Sequence, residues 1–286
     1  MPNFPIVDSH VHLYDPTRFR MPWLDGNDLL NRPYGPKEYR EHTAGIDIGQ
    51  IVFAQVEVAP PYALLEAQWV DDLANTEEPR ITGIFPWAPV EYGERARAFY
   101  QALTEISPRI KGVRQITQFE PDPEFCLRPD FVRGCQILPE YGLTMDLCIY
   151  HPQMGPTTEL IRRCPQTLFV LDHIGKPDIK NHVRDPWWQQ IKEMADLPNV
   201  YCKISGVVTE ADHKRWTLDD VRPYIERVLE VFPEDRVMYG GDWSVVLMAA
   251  PYRRWYETVE TITEGLSDAA KRKFWADNAR RFYRLP

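Results

Sequence analysis

The sequence predicts an α/β protein folded as a (β/α)₈ barrel, and three observations carry that prediction. Eight short β-branched runs alternate with segments of helical periodicity along the chain. No G-x-G-x-x-G or G-x-x-x-x-G-K-[ST] loop follows any of the runs, which argues against a doubly wound open sheet. Ionisable side chains crowd the ends of the runs, where a barrel keeps its reactive groups.

The strand-like runs are Ile6–His12, Gln50–Val58, Ile81–Trp87, Ile110–Ile116, Leu143–Ile149, Leu168–Leu171, Val200–Ile204 and Arg236–Tyr239. Between them the apolar residues recur at three- and four-residue steps, as helix faces do. The expected helices cover Tyr62–Leu73, Glu94–Ile106, Pro129–Tyr141, Thr158–Cys164, Trp187–Ala195, Leu218–Phe232 and Tyr252–Leu266. Residues 1–286 are read as one barrel. Its exception is a long insertion between the first strand and the first helix, at about residues 14–43, rich in Pro, Trp, Arg and Asn. An insertion of that length is expected to cover the site, although a packed surface loop is the plain alternative.

Composition narrows the function. Apolar residues make up 44% and charged residues 26% of the chain, as in a soluble globular protein. A net charge of −9 argues against nucleic acid and anionic membranes as partners, since both need basic surface. No leader and no membrane span is expected. The five cysteines are odd in number, widely spaced and without a C-x-x-C pair, which fits reduced thiols and a cytoplasmic location.

The strand ends carry the chemistry. Alternation places His10 and His12 on one face of the first strand, so their imidazoles can converge on a metal ion or a reacting oxygen. Asp8 is expected on the same face. Gln55 and Glu57 follow on strand two, Lys111 and Arg114 on strand four, Tyr150 and His151 after strand five, and Asp172 and His173 after strand six. Strand seven carries Lys203, and strand eight ends in Tyr239-Gly240-Gly241-Asp242-Trp243. Buried charges on this scale are costly unless paired or bound to something. Each residue also has a plain role open to it. Asp242 suits helix capping, Arg114 an ion pair, and Glu57 the orientation of a histidine, while Lys203 is read first as structural. His42, His182 and His213 are read as surface residues.

Several segments together resemble the amidohydrolase superfamily, and within it the sugar-acid lactonases. They are Val7-Asp8-Ser9-His10-Val11-His12-Leu13-Tyr14-Asp15-Pro16 with Pro22-Trp23-Leu24, then Leu171-Asp172-His173-Ile174-Gly175-Lys176-Pro177. Tyr201-Cys202-Lys203-Ile204-Ser205-Gly206 and Met238-Tyr239-Gly240-Gly241-Asp242-Trp243 complete the set. The stretch Val208–Asp212 with Trp216 and Pro223 is similar to L-fuconolactonases and L-rhamnonolactonases. The resemblance implies a single distorted TIM barrel with site residues at His10, His12, His151, His173 and Asp242. Arg114 stands near the strand-four position where binuclear relatives bridge two metals, which argues for at most one ion.

The expected reaction is the opening of an aldonolactone to its sugar acid. Asp242 would act as general base, with His10, His12 and His173 beside it as catalytic groups. One divalent ion, zinc for preference, would sit on His10, His12 and Asp242 with Glu57 as a further candidate ligand. A metal-free alternative has the three histidines donating hydrogen bonds to the carbonyl oxygen. Arg114, His151, Trp23, Trp243 and Lys203 are the expected substrate contacts. The partner is then a small sugar lactone, with self-association left open. A metal-dependent decarboxylase, or another cyclic ester or amide hydrolase of the superfamily, is the runner-up. A sugar-binding protein without turnover comes third, because converging histidines would serve it no purpose.

Overall fold

The computed structural model describes residues 2–286. Its elements alternate as the sequence predicts. They run β1 (Ile6–Val11), α1 (Pro36–His42), β2 (Ile48–Ala54), α2 (Ala63–Thr76), β3 (Ile81–Phe85), α3 (Arg97–Ile106), β4 (Gly112–Arg114) and α4 (Pro129–Ile137). The second half continues β5 (Thr144–Leu147), α5 (Met154–Arg163), β6 (Phe169–Leu171), α6 (Trp187–Ala195), β7 (Val200–Ile204), α7 (Leu218–Val231) and β8 (Val237–Tyr239). Helices α8 (Tyr252–Thr263), α9 (Asp268–Arg272) and α10 (Asn278–Tyr283) close the chain.

All strands are parallel and form two continuous runs, β1-β2-β3 and β4-β5-β6-β7-β8. Single bridges, Ile84 to Ile110 and Trp87 to Arg114, join β3 to β4. Backbone bonds from Asp242 N to His10 O (2.8 Å) and from His12 N to Trp243 O (2.5 Å) join β8 to β1. The result is a distorted TIM barrel, stitched at two seams by isolated bonds rather than full ladders.

The differences from the sequence reading have local causes. Helix α1 lies inside the segment expected as loop, with Pro36 as its first residue, where the missing N–H costs nothing. The loop ends are pinned by reciprocal backbone bonds between Tyr14 and Tyr34, both 2.9 Å. Helix α5 begins at Met154 rather than Thr158, because Gly155-Pro156 falls in its first turn, where proline is tolerated. The helix expected from Glu94 starts only at Arg97, after a 3₁₀ stretch in which Gly93 takes a left-handed φ of 56°. All five cysteines are buried free thiols. Among the described residues, no helix is long and apolar enough to cross a membrane.

Helices α9 and α10 were not expected, and α10 matters to the interior. Phe282 and Tyr283 share one buried cluster with Val7, Val52, Phe85, Val170 and Met238. Those residues come from five different strands, so the cluster faces the barrel axis and α10 plugs one end of it. The Tyr283 ring stacks on Phe85 at 5.8 Å, and its hydroxyl donates to Asp146 Oδ2 at 2.6 Å. Phe282→Ala should lower the unfolding free energy by about 3–5 kcal/mol, through lost burial and the cavity left behind. A urea midpoint indistinguishable from the parent would show that α10 is not part of the core.

A candidate active site at the strand ends

Three elements bring the reactive groups together. His10 and His12 stand at the end of β1, their ring centroids 4.9 Å apart. Asp242 lies just beyond β8 in a left-handed conformation (φ 53°). His173, also left-handed (φ 53°), follows β6 and its ring centroid lies 4.6 Å from that of His10. Asp242 Oδ1 is 3.3 Å from His12 Nε2 and 3.7 Å from His10 Nε2, and Oδ2 is 3.9 Å from His173 Nδ1. Gly206 leaves room for the carboxylate, since a Cβ there would sit 2.0 Å from Asp242 Oδ2.

The tautomers follow from the partners. His12 Nδ1 lies 3.0 Å from the Ala54 carbonyl, and His173 Nδ1 lies 3.0 Å from the Ser205 carbonyl. A carbonyl only accepts, so both Nδ1 atoms carry the proton and both Nε2 atoms present a lone pair. His10 Nδ1 lies 3.4 Å from both Asp172 Oδ1 and Lys203 Nζ, and it is Arg114 Nη1, which only donates, at 3.2 Å from Nε2 that leaves the His10 lone pair on Nε2. Burial, reinforced by nearby cations, pushes His10 well below the ordinary imidazole range and His173 down to about 4, so both are neutral at pH 7. Burial alone would raise Asp242, but the positive charge that the imidazoles of His173, His12 and His10 take up in acid overrides it and holds the carboxyl well below the usual range.

A layer of buried charge supports these groups. Asp172 accepts from Arg114 Nη1 at 2.9 Å and lies 3.1 Å from Lys203 Nζ, which also donates to Asp146 Oδ2 at 2.5 Å. Arg114 Nη2 donates to the Gln55 carbonyl at 2.5 Å, and Nη1 stands 3.2 Å from His10 Nε2. Lys203 is fully buried within this layer and does not reach the cavity, so its place is structural.

Above the layer opens a cavity of about 610 Å³. Of the expected site residues, His12, Trp23, Glu57 and Arg114 line it, whereas His10, His173 and Asp242 are buried behind its wall. Trp23 is held by a bond from its Nε1 to the Val56 carbonyl at 2.6 Å. Trp243, expected as a substrate contact, does not line the cavity. It is fully buried against Tyr34, Tyr39 and His42, because it turns away where Asp242 turns in. His151 also stays off the cavity wall, where Tyr150 stands instead, and the nearest charge to act on it is Asp178. Asp8 leaves the face of the histidines through a register irregularity between Asp8 and Val11. Its carboxylate takes the Gly241 N–H (2.7 Å) and the hydroxyls of Tyr39 (2.9 Å) and Tyr252 (2.7 Å). His213, read as a surface residue, sits exposed at the cavity rim. Half-buried His42 packs on Trp243. Lys176, Gln118, Phe119 and Glu210 line the cavity without having been singled out, since each lies in a loop beyond its strand.

His10, His12 and Asp242 suit a metal ion. Bonds of about 2.0–2.1 Å in a tetrahedral site give ligand separations near 3.4 Å, and two of the three separations here are 3.3 and 3.7 Å. Among the described residues Asp242 Oδ1 is buried without a hydrogen-bond partner, as an open ligand would be. The His10 lone pair serves either Arg114 or the ion. Glu57 does not join this group. Its Oε1 accepts from Gln55 Nε2 at 2.8 Å, and its backbone is left-handed (φ 55°). A second group, His10, Asp172 and His173, is already neutralised by Arg114 and Lys203.

A parallel barrel with imidazoles and a carboxylate converging beneath a strand-end cavity defines a hydrolase of the TIM-barrel class. The Amidohydrolase family profile matches residues 7–285. An L-fucono-1,5-lactonase of Burkholderia multivorans is 30% identical over 293 residues, covering 98% of this chain and 96% of the relative. An L-rhamnono-gamma-lactonase of Scheffersomyces stipitis is 24% identical over 337 residues, covering the whole of both. The solved structure of a Burkholderia multivorans amidohydrolase with bound zinc superposes with a TM-score of 0.89 at 28% identity, over 99% of this chain and 100% of that one. The chain belongs to the amidohydrolase family.

Beside the cavity, Glu66 is buried under Val56 and Glu57, and its Oε2 has no hydrogen-bond partner. Burial, and then the neighbouring Glu57, raises its pKa from 4.5 to about 8. The folded carboxyl therefore holds its proton more tightly than the unfolded one. The stability this contributes is complete below about pH 4.5 and is lost as pH rises through about 8. Glu66→Gln removes the titration, so the melting temperature of the variant minus that of the parent should grow from pH 5 to pH 8. The underlying change is about 1.4 kcal/mol per pH unit inside that window. A difference that stays flat over the range would mean that Glu66 is already ionised in the fold.

Proposed function

We propose that this enzyme opens an aldonolactone, of the L-fucono-, L-rhamnono- or a related sugar series, to its sugar acid by attack of water on the ester carbonyl. The observation that carries this reading is Asp242 Oδ1, without a hydrogen-bond partner among the described residues and 3.3 and 3.7 Å from the Nε2 atoms of His12 and His10, behind the cavity wall to which His12 belongs. The two full-length relatives named as lactonases support the substrate class. His10, His12 and Asp242 would hold one divalent ion, and zinc suits two imidazoles and a carboxylate. When bound, that ion supplies Lewis-acid polarisation of the carbonyl and acidifies water.

The chain's own groups do the rest. Asp242 receives the proton of the attacking water and returns it to the ring oxygen as the C–O bond breaks, so one lactone and one water give one hydroxy acid. Arg114 places a permanent positive charge at the cavity floor, where the carbonyl oxygen gathers negative charge. Trp23, 36% exposed, offers an aromatic face to the sugar ring. The metal-free arrangement needs N–H donors from the histidines. The Ala54 and Ser205 carbonyls already take the protons of His12 and His173, which favours the ion.

A pH-indicator assay on L-fucono-, L-rhamnono-, L-arabinono- and D-galactonolactones, corrected for spontaneous opening, tests the reading. Rapid acid release is expected on one or two of them. Asp242→Asn should lower kcat by about 10²–10⁴ without unfolding the protein. Chelation should abolish the rate, and restored activity should track about one zinc per chain by elemental analysis. No acid release on any sugar lactone, with zinc restored, would sink the proposal.

A further inference from the structure

Of the charged residues that line the cavity, Arg114 is paired directly with a carboxylate, whereas among the described residues Glu57, Lys176 and Glu210 are in no direct ion pair. Lys176 follows the turn Asp172–Gly175 in a left-handed conformation (φ 48°), fixed by a bond from its backbone N to the His173 carbonyl at 2.9 Å. Its ammonium lines the cavity, donates to Gln118 Oε1 at 2.5 Å and lies 5.1 Å from the centre of the Tyr150 ring. Among the described residues, no carboxylate oxygen comes within 4.0 Å of Nζ. Arg114 and Lys203, by contrast, are each bonded directly to carboxylates.

Glu210 stands in the same position with opposite sign. It lines the same cavity, and among the described residues no cation lies within 4.0 Å of it and its one side-chain donor is the Thr209 hydroxyl at 3.3 Å. Each of the two nevertheless acts electrostatically on the other. They face the same cavity and stand more than 4.0 Å apart, too far for a direct ion pair. A hydroxyl both accepts and donates, so one hydroxyl between the two can take a bond from the ammonium and give one to the carboxylate. An anionic group would meet the glutamate and an ammonium the lysine, so the pair suits a neutral oxygen.

We propose that Lys176 and Glu210 together grip one ring hydroxyl of the lactone, the ammonium donating to its oxygen and its proton going to the carboxylate. The assignment rests on the sugar-lactone reading and makes these two residues the determinants of hydroxyl recognition. Charge-assisted bonds of this kind are worth about ten- to a hundredfold in discrimination against a ring that lacks the hydroxyl.

The test compares kcat/KM for L-fucono-1,5-lactone with that for δ-valerolactone, an unsubstituted ring, in the parent, Lys176→Met, Glu210→Gln and the double variant. The parent should prefer the sugar lactone. Each single variant should lower the ratio by about ten- to a hundredfold, chiefly through KM, and the double variant should be little worse than either, because one hydroxyl is shared. Melting temperatures check folding, and the ratio cancels any general loss of activity. A ratio that survives both substitutions, or equal losses on the two rings, overturns this assignment while leaving the sugar-lactone reading intact. A parent enzyme that opens δ-valerolactone and no aldonolactone, or neither ring, overturns the sugar-lactone reading and this assignment with it.

Discussion

The centre of this molecule depends on the seam between its first and last strands. Two backbone bonds set the register there, Asp242 N to His10 O and His12 N to Trp243 O, and a slip by one residue would turn Asp242 out and Trp243 in. Asp8 locks that register, because its carboxylate holds the Gly241 N–H while two tyrosines from α1 and α8 hold the carboxylate. Glycine makes the close approach feasible. A Cβ on Gly240 would lie 2.9 Å from that of His10, and one on Gly241 would lie 2.5 Å from Asp8 Oδ2. The reactive group is thus made by barrel closure, from the two ends of the chain, and no local segment contains it.

The same scaffold decides what the imidazoles can do. Strand-end carbonyls take the Nδ1 protons of His12 and His173, and that of His10 faces Asp172 Oδ1 at 3.4 Å, opposite the Arg114 donor at Nε2. Orientation and protonation are fixed together, before any ligand arrives. His10 differs from the other two because its partner is a carboxylate, which makes its Nε2 the more basic donor toward a metal.

Strand parity accounts for how much of the site was legible in the sequence. All eight strands were placed from β-branched runs, and the strand ends pointed to His10, His12, His173, Arg114 and Asp242, which the structure gathers at one end of the barrel. Parity fails where regularity fails. The irregularity after Asp8 sends it to the helix side, and the chain leaves β5 at Leu147, so the loop beyond presents Tyr150 rather than His151. Trp243 was chosen as an aromatic beside Asp242, yet adjacent residues face opposite ways. Lys176 and Glu210 lie in loops whose path is set by tertiary packing, and a periodicity argument has no hold on them. Helix α10 was missed for a similar reason. Its buried face, Phe282 and Tyr283, is too short to show a period.

The buried charge layer also sets the number of metal ions on the proposed reading. Asp172 works against its own burial, and Lys203, His10 and Arg114 bring it well below the carboxylate range, so it is an anion already shared between cations. A second dication on His10, Asp172 and His173 would have to displace or face Arg114 and Lys203. Like unit charges at about 4 Å repel by on the order of 4 kcal/mol at an effective dielectric of about 20, and a dication doubles the figure for each neighbour. His12 and Asp242 are bonded to no cation among the described residues, and an ion they share with His10 meets Arg114 only at His10 Nε2, whose contact with Arg114 it would replace. Arg114 therefore divides the site. On its far side the carboxylates are spent on holding the barrel interior together, and on its near side one is left free for chemistry.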